Sequence, residues 1–224
     1  MIMDSVVIVS GGMDSVTLLQ FLVKQEKRDP AVMTFQYGQK HSREIDCAKA
    51  QVALLGIKAH MVVDLRATQA IFGTSALVSE DVNIPDMEEV VGDNQPATYV
   101  PNRNMLFLAY AVAYAESLKV NRVFYGAQAH DLYGYWDTTP EFLARLNDVY
   151  SLNRKDAVRI EAPFVQYSKA DVLRTGVSLE VDYAQTWSCY AGQDKACGKC
   201  PTCAERLKAF EEVGLVDPIS YAVS

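Results

Sequence analysis

Two glycines between two serines lie where a predicted strand passes into a predicted helix, at residues 10–15 (SGGMDS). Glycine lets the backbone approach an anion with no Cβ in the way. A helix that begins directly afterwards directs free N–H groups and the positive end of its dipole at that anion. The segment therefore indicates a site for phosphate or pyrophosphate, although an ordinary glycine-rich turn has the same composition.

Four of the five cysteines are clustered near the end of the chain, with gaps of seven, two and two residues between them: Cys189, Cys197, Cys200 and Cys203. Four thiolates at this spacing predict a closed tetrahedral Zn2+ site, whose role is structural because no coordination position stays open. An iron–sulfur cluster is the main alternative, since it uses the same donors. A disulfide scaffold is disfavoured, because it would spread its cysteines along the chain. Cys47 lies alone on a predicted helix and is expected to be a core residue.

Two cationic residues stand at predicted helix starts. Arg103 precedes one helix and is a candidate clamp for phosphate or carboxylate, with a surface position as the alternative. Lys169 opens another helix after a strand and is a candidate partner for an anionic ligand, with a solvated helix face as the alternative. His41 by itself has the simpler interpretation of a polar residue flanking a helix.

The elements that must position these groups alternate along the chain. Short β-branched runs predict strands, and apolar spacing of three and four predicts helices. The predicted strands are 5–10, 31–35, 59–63, 122–125 and 158–162; the predicted helices are 14–24, 42–55 with Ser42 as its cap, 104–117, 140–149, one from residue 169, and 203–213. Such alternation predicts an α/β fold with a parallel sheet sandwiched by helices, and a ligand crevice at the carboxyl ends of the strands.

Two departures from this alternation divide the chain further. Residues 66–98 accumulate Gly, Pro, Asp and Asn and are predicted to form a long functional loop or lid. Residues 1–186 are predicted to form the main domain, and residues 187–224 a cysteine-containing segment packed on it.

Charge and hydropathy limit the partners. The 224 residues carry a formal charge of −7, and an acidic balance disfavours a polynucleotide substrate, so no nucleic-acid partner is expected. The longest apolar-rich stretch, residues 105–115, is too short to span a bilayer. The first residues lack the basic region with which a signal peptide begins. A cytoplasmic protein without membrane contact is therefore expected.

The S-G-G-x-D-S loop after the first strand resembles the signature of the PP-loop ATP pyrophosphatases, which include asparagine, GMP and argininosuccinate synthetases and tRNA thiolation enzymes. It differs from a Walker A loop, which ends in Gly-Lys-Ser/Thr, and from the Gly-x-Gly-x-x-Gly dinucleotide motif. The resemblance implies that the loop binds the pyrophosphate of ATP, that Asp14 helps to hold Mg2+, and that Ser15 and Lys169 share in catalysis. The nucleotide-binding residues that it implies are Val9, Ser10, Gly11, Gly12, Met13, Asp14, Ser15, Val16 and Arg103.

Further motifs extend a second resemblance over nearly the whole chain. F-Q-Y-G-Q-K-H-S-R-E, V-P-N-R-N, G-Y-W-D-T-T-P-E-F and T-W-S-C-Y with its cysteines are similar to those of the 7-cyano-7-deazaguanine synthases, the QueC family. The resemblance implies a homodimer that uses ATP, Mg2+ and Zn2+. It also implies conversion of 7-carboxy-7-deazaguanine and ammonia to the nitrile preQ0 through an adenylated carboxylate and an adenylated amide. The substrate-binding residues that it implies are Tyr37, Gln39, His41, Arg103, Asp131, Tyr135 and Asp137.

One segment departs from the family pattern, G-Y-P-D-C-R-x-E-F. Trp136 replaces Pro, Thr138 and Thr139 replace Cys-Arg, and His130 stands where a small or acidic residue is usual. The departure motivates an alternative enzyme, which stops at the amide or joins deazaguanine to another amine. Two other classes are a PP-loop tRNA-modifying enzyme, disfavoured by the acidic balance, and a nucleotide-binding protein without turnover, disfavoured by the intact Asp14 and Ser15.

Overall fold

A computed structural model describes residues 3–40, 42–93, 95–129, 135–191 and 194–222. Within these residues a five-stranded sheet has the order β3-β2-β1-β4-β5, and every neighbouring pair is parallel. Its strands are β1 (Ser5–Ile8), β2 (Pro30–Gln36), β3 (His60–Asp64), β4 (Arg122–Phe124) and β5 (Arg159–Glu161). The predicted fold class and strand order along the chain are confirmed.

Seven α-helices are seen in the described residues: α1 (Met13–Gln20), α2 (Arg43–Leu54), α3 (Met87–Val90), α4 (Arg103–Leu118), α5 (Pro140–Tyr150), α6 (Lys169–Ser178) and α7 (Pro201–Val213). α1 continues as a π-helical turn, Phe21–Gln25. Ser42 is the N-cap residue of α2, but its side chain makes no capping hydrogen bond, so the predicted cap is wrong in this respect. Among the described helices, none combines the length and apolarity that crossing a membrane requires.

Helices cover both faces of the sheet, which explains why the central strands are continuous apolar runs. Val6 of β1 packs with residues of α4 and α5, whereas Val7 packs with residues of α1, α2 and α6. Successive side chains of a strand point to opposite faces, so this pair marks the two halves of the core. On the α4 side, the rings of Phe35 and Phe107 stack with centroids 4.0 Å apart.

The segment predicted as a long loop, residues 66–98, contains more structure than its composition suggests. It forms a 3-10 helix (Arg66–Phe72) and the short helix α3, and it buries Phe72, Leu77 and Val78 in the core beside α4. These apolar residues are scattered among Gly, Pro and Asp, so no helical or strand period is visible in the sequence. Closure of the segment as a lid stays a prediction.

Candidate active site

A cavity of about 250 Å³ lies where β1, β2 and β4 end. From β1 the chain adds β2 and then β3 on one side of the sheet, and it then crosses to add β4 on the other side of β1. The strand order therefore reverses at β1. Ligands of open parallel sheets bind at such a point, beyond the carboxyl ends of the strands. Residues predicted from the sequence that line the cavity are Val9, Ser10, Gly12, Met13, Asp14, Ser15, Tyr37, Gln39, Arg103, Tyr135 and Lys169.

Three predicted site residues lie elsewhere in the described part of the chain. Val16 is fully buried in the core between α1, α6 and α7. Gly11 has a φ of +96°, and a Cβ on it would meet the backbone oxygen of Glu44 at 1.9 Å, so its lack of a side chain serves the packing of α2. Asp137 is buried beside the start of α4. The predicted substrate residues His41 and Asp131 fall outside the described residues.

The serines of the glycine loop hold the loop in shape. Ser15 Oγ accepts hydrogen bonds from the N–H groups of Ser10 and Gly11, at 3.2 and 3.3 Å. Ser10 Oγ accepts from the N–H of Gly12 at 3.2 Å. The N–H groups in the first turn of α1 have no acceptor within the helix and point towards its N-terminal end. The N–H groups of Ser10, Gly11 and Gly12 are thus used within the loop, and the first turn of α1 supplies the donors available to an anion in the cavity. Binding of phosphate there stays a prediction.

Lys169 lies at the same end of the cavity and is not part of a solvated face. Its Nζ donates to Asp14 Oδ2 at 2.9 Å and lies 3.5 Å from Glu205 Oε2. Burial lowers the pKa of Lys169, but the charges of Asp14 and Glu205 outweigh this effect and raise it above the ordinary value. The ammonium group is therefore charged at neutral pH. Asp14 Oδ1 is buried and has no hydrogen-bond partner among the described residues, which suits a metal ligand.

Arg103 extends from the first turn of α4 into the cavity. Its Nη1 donates to the hydroxyl of Tyr37 at 3.2 Å, and its guanidinium lies 5.7 Å from the centre of that ring. Burial raises the pKa of Tyr37, so its hydroxyl remains protonated at neutral pH. Gln39 folds back on the end of β2, since its Oε1 accepts from the N–H of Tyr37 at 2.9 Å. These contacts hold one cation, Arg103, against Tyr37 in the cavity wall.

Asp137 lies beside the start of α4. The N-cap residue of that helix, Asn102, has a φ of +53° and makes no side-chain capping bond. Asn104, in the first turn of α4, lies close enough to the carboxyl of Asp137 for its polar groups to influence the pKa of that carboxyl. Burial raises the pKa of Asp137, while Arg103 and the polar groups of Asn104 oppose the rise. Asp137 thus lies beside the first turn of the helix that carries Arg103.

The three described residues that depart from the family pattern have different surroundings. Thr138 lines the cavity. Thr139 is the N-cap of α5, and its hydroxyl accepts from the N–H of Phe142 at 3.1 Å. Trp136 is 45% exposed and donates from Nε1 to the hydroxyl of Tyr99 at 3.0 Å. Only Thr138, among these three, is in a position to contact a ligand of the cavity.

Sequence reasoning missed several polar residues of the cavity wall: Lys40, Glu44, Ser188, Thr202 and Glu205. Desolvation raises the pKa of Glu44 to about 7, against the opposing charge of Arg103. Lys40 and Glu44 belong to the F-Q-Y-G-Q-K-H-S-R-E motif, which is a signal that could have identified them. Glu205 stands two residues after the last cysteine, where the spacing suggested only a metal site.

The four clustered cysteines form a candidate metal centre beside the cavity. Their Sγ atoms all lie within 4.8 Å of one another, and Cys189, Cys200 and Cys203 are buried. A tetrahedron of thiolates around Zn2+ has Zn–S distances of about 2.3 Å, so the cluster is close to the size required. Trp187 connects it to the glycine loop, because its backbone N–H donates to Gly11 O at 3.1 Å and its Nε1 to Cys189 O at 3.1 Å.

The chain is similar to known proteins over nearly its whole length. Residues 4–214 match the family model described as queuosine biosynthesis protein QueC. The 7-cyano-7-deazaguanine synthase of Pseudoalteromonas atlantica is 44% identical over 221 residues, covering 99% of this chain and 100% of the relative. The synthase of Caldicellulosiruptor saccharolyticus is 43% identical over 221 residues, covering 99% and 96%.

Among solved structures, the NMN synthetase from Francisella tularensis is similar in fold alone. Its TM-score is 0.51 at 16% identity, covering 95% of this chain and 73% of that one. The family match and the relatives reach beyond fold, because they extend over the cavity, the glycine loop and the cysteine cluster together. The chain belongs to the QueC family.

Proposed function

We propose that this protein converts 7-carboxy-7-deazaguanine and ammonia to 7-cyano-7-deazaguanine (preQ0), with cleavage of two ATP to AMP and pyrophosphate. One observation carries the proposal beyond the family match. A single cavity is lined by the glycine loop, by a partly buried Lys169–Asp14 pair beside that loop, and by Arg103. The loop and the pair suit the phosphates of ATP, and Arg103 suits a carboxylate.

Beside the glycine loop, the first-turn N–H groups of α1 and the ammonium of Lys169 stabilise the charge that develops on departing pyrophosphate. The unpartnered Asp14 Oδ1 fits a magnesium ligand, since Mg2+ prefers carboxylate oxygens and is held by few of them. Bound there, Mg2+ supplies positive charge to the phosphates of ATP. Ser15 holds the loop before α1 in shape.

Arg103 and Tyr37 orient the carboxylate of the deazaguanine towards the α-phosphorus. A carboxylate oxygen attacks that phosphorus, pyrophosphate leaves, and ammonia displaces AMP from the acyl carbon to give an amide. The amide oxygen is adenylated in turn, and loss of AMP with two protons leaves the nitrile. No step needs a nucleophilic side chain, so the cavity acts by orienting reactants and excluding water.

The cysteine cluster is proposed to hold Zn2+, and residues 187–224 to form a zinc-binding segment on an ATP pyrophosphatase domain of residues 1–186. Four thiol donors leave no open position, which suits a structural ion. Metal analysis of protein purified without added metal tests this: about one zinc per chain is expected, and iron with acid-labile sulfide would instead identify an iron–sulfur cluster.

A homodimer is proposed on the strength of the family and of an exposed apolar face. Leu106 and Tyr110 of α4 are 38% and 45% exposed. Such residues at one helix face suit burial against a second chain. Sedimentation equilibrium would show twice the chain mass, and a Tyr110→Glu variant would be a monomer. A cytoplasmic location and the absence of a nucleic-acid partner remain predictions.

The deciding experiment is mass spectrometry of the product that purified protein forms from 7-carboxy-7-deazaguanine, ammonium, ATP and Mg2+. The nitrile with two AMP per turnover is expected. Accumulating amide with one AMP would favour the enzyme that stops halfway, which the place of Thr138 in the cavity wall motivates. No AMP with wild-type protein would contradict the proposal, and Asp14→Asn serves as the inactive control.

A further inference from the structure

A second cavity, of about 150 Å³, lies between α6 and α7 and adjoins the main cavity. Gln128, Lys169 and Glu205 line both cavities and form the wall between them. Lys169 and Glu205 are held there by their ion pair at 3.5 Å. The second cavity is therefore a separate approach to the place where ATP is expected to react.

The lining of the second cavity limits what can occupy it. Small apolar residues form much of its lining, namely Ala129, Ala170, Ala204 and Ala209, together with Met87 and Ser168. Lys208 and Glu212 lie towards the outside and pair at 3.7 Å with half-exposed side chains. A space of this size holds a few molecules as small as water, but neither a nucleotide nor a deazaguanine.

Gln128 gives the wall a free acceptor. The residue is only 4% exposed, and its Oε1 is buried with no hydrogen-bond partner among the described residues. A buried carbonyl without a partner costs free energy, so native proteins seldom keep one without a reason. A small ligand with N–H donors would satisfy it at the junction of the two cavities.

We propose that the second cavity admits ammonia to the active site and that Gln128 Oε1 receives it at the junction. The inference rests on the proposed function, in which ammonia is the nucleophile. Ammonium gives its proton to water outside, and neutral ammonia passes inward, because the alanine lining and the Lys169 cation disfavour a second cation. The two carboxylates of the lining, Glu205 and Glu212, already pair with Lys169 and Lys208. This route stays open while ATP and the deazaguanine fill the main cavity.

The test blocks the second cavity without touching the main one. Ala204 lies on α7 and lines only the second cavity. Ala204→Leu is expected to raise the KM for ammonium about tenfold or more, while the KM values for ATP and 7-carboxy-7-deazaguanine stay within about twofold. Ala53→Leu, at an exposed position of α2 away from both cavities, is the matched control and should behave as wild type.

A half-reaction without ammonia separates the two proposals. Exchange of pyrophosphate into ATP, dependent on the carboxylate substrate and measured without ammonium, should be equal in Ala204→Leu and wild type. If a folded Ala204→Leu variant exchanges pyrophosphate as wild type does and has an unchanged KM for ammonium, the proposed ammonia passage is wrong and the proposed function stands. No exchange in wild type would overturn the proposed function.

If Ala204→Leu does not fold, Gln128→Leu provides the second variant. It removes the acceptor at nearly constant size, so the KM for ammonium is again expected to rise; because Gln128 also lines the main cavity, this rise must exceed any change in the KM values for ATP and 7-carboxy-7-deazaguanine. An ammonium KM equal to that of wild type in this variant would contradict the role of Gln128.

Discussion

Lys169 sets the charge beside the glycine loop, because it lies between the carboxylates of Asp14 and Glu205. Without it, two like charges would face each other in a partly buried site and repel the phosphates of ATP. Its contribution is electrostatic rather than nucleophilic, so a charged substitute should retain part of it.

Lys169→Ala is therefore expected to lower kcat for AMP formation by roughly 10²–10³-fold, as when a preorganised donor is removed from a transition state. Lys169→Arg keeps the charge and should retain more activity. The measurement is AMP release under saturating substrates. Equal activity of the alanine and arginine variants would show that the charge of Lys169 has no part in the reaction.

Glu44 makes the fold sensitive to pH. Desolvation raises its pKa to about 7, from an ordinary value of 4.5. Because the folded protein holds this proton more tightly than the unfolded chain does, stability falls as pH rises from about 4.5 to 7 and stays lower above that range.

Glu44→Gln removes this penalty and is expected to be more stable than wild type by about 2 kcal/mol at pH 8, after allowance for partial exposure, but not at pH 4. Urea unfolding at the two pH values measures the difference. The same difference at both pH values would mean that ionisation of Glu44 is not its cause.

At the scale of the elements, the strand–loop–helix unit uses its two glycines for different purposes. A Cβ on Gly11 would meet Glu44 O at 1.9 Å, whereas a Cβ on Gly12 would meet nothing closer than Ser10 Oγ at 3.4 Å. Gly11 also has a φ of +96°, and Gly12 has an ordinary φ of −74°. The first glycine therefore serves the packing of α2 on the loop, and the second leaves the cavity side of the loop open.

Two matched variants separate these purposes. Gly11→Ala should lose about 3 kcal/mol or more of unfolding free energy, through backbone strain and overpacking. Gly12→Ala should keep its stability within about 1 kcal/mol and bind ATP more weakly, because the new methyl group stands where phosphate approaches. Urea unfolding and ATP titration measure both effects. Equal loss of stability in the two variants would contradict the assignment.

At the scale of the whole molecule, the C-terminal segment forms part of the wall of the main cavity. Ser188, Thr202 and Glu205 lie among or just after the cysteines and also line the cavity. A fully buried ion pair anchors the end of the segment, since Arg206 donates to both oxygens of Asp217 at 2.6 and 2.9 Å. The division of the chain at residue 186 stays a prediction.

Loss of the proposed zinc should therefore reduce both stability and ATP binding. Cys200→Ser is expected to lose the metal, to increase hydrogen exchange of amides in residues 187–222, and to weaken ATP binding about tenfold or more. Cys47→Ser, at the half-buried cysteine of α2 outside the cluster, is the control and should keep the metal. Unchanged ATP affinity in metal-free Cys200→Ser would show that the segment does not need the ion to form the cavity wall.

The amino-acid sequence by itself determined the parallel α/β class, the glycine loop between strand and helix, and the cysteine cluster, because each follows from a local pattern of residues. Eleven of the predicted site residues line the main cavity. Two further lining residues, Lys40 and Glu44, belong to one of the motifs that carry the family resemblance. The burial of apolar residues in the segment 66–98 could not be predicted, since it depends on packing against α4 rather than on any local period.

Only the tertiary structure decided which distant residues meet. Lys169 reaches Asp14 across 155 positions, and Glu205 joins them from the helix after the cysteines. Burial and charge depend on all the elements packed around a side chain, so no local pattern encodes the pKa of Glu44, the demand for glycine at position 11 or the unpartnered oxygen of Gln128. The sequence determined what chemistry is available, and the fold determined which groups act together, because that depends on contacts between remote segments.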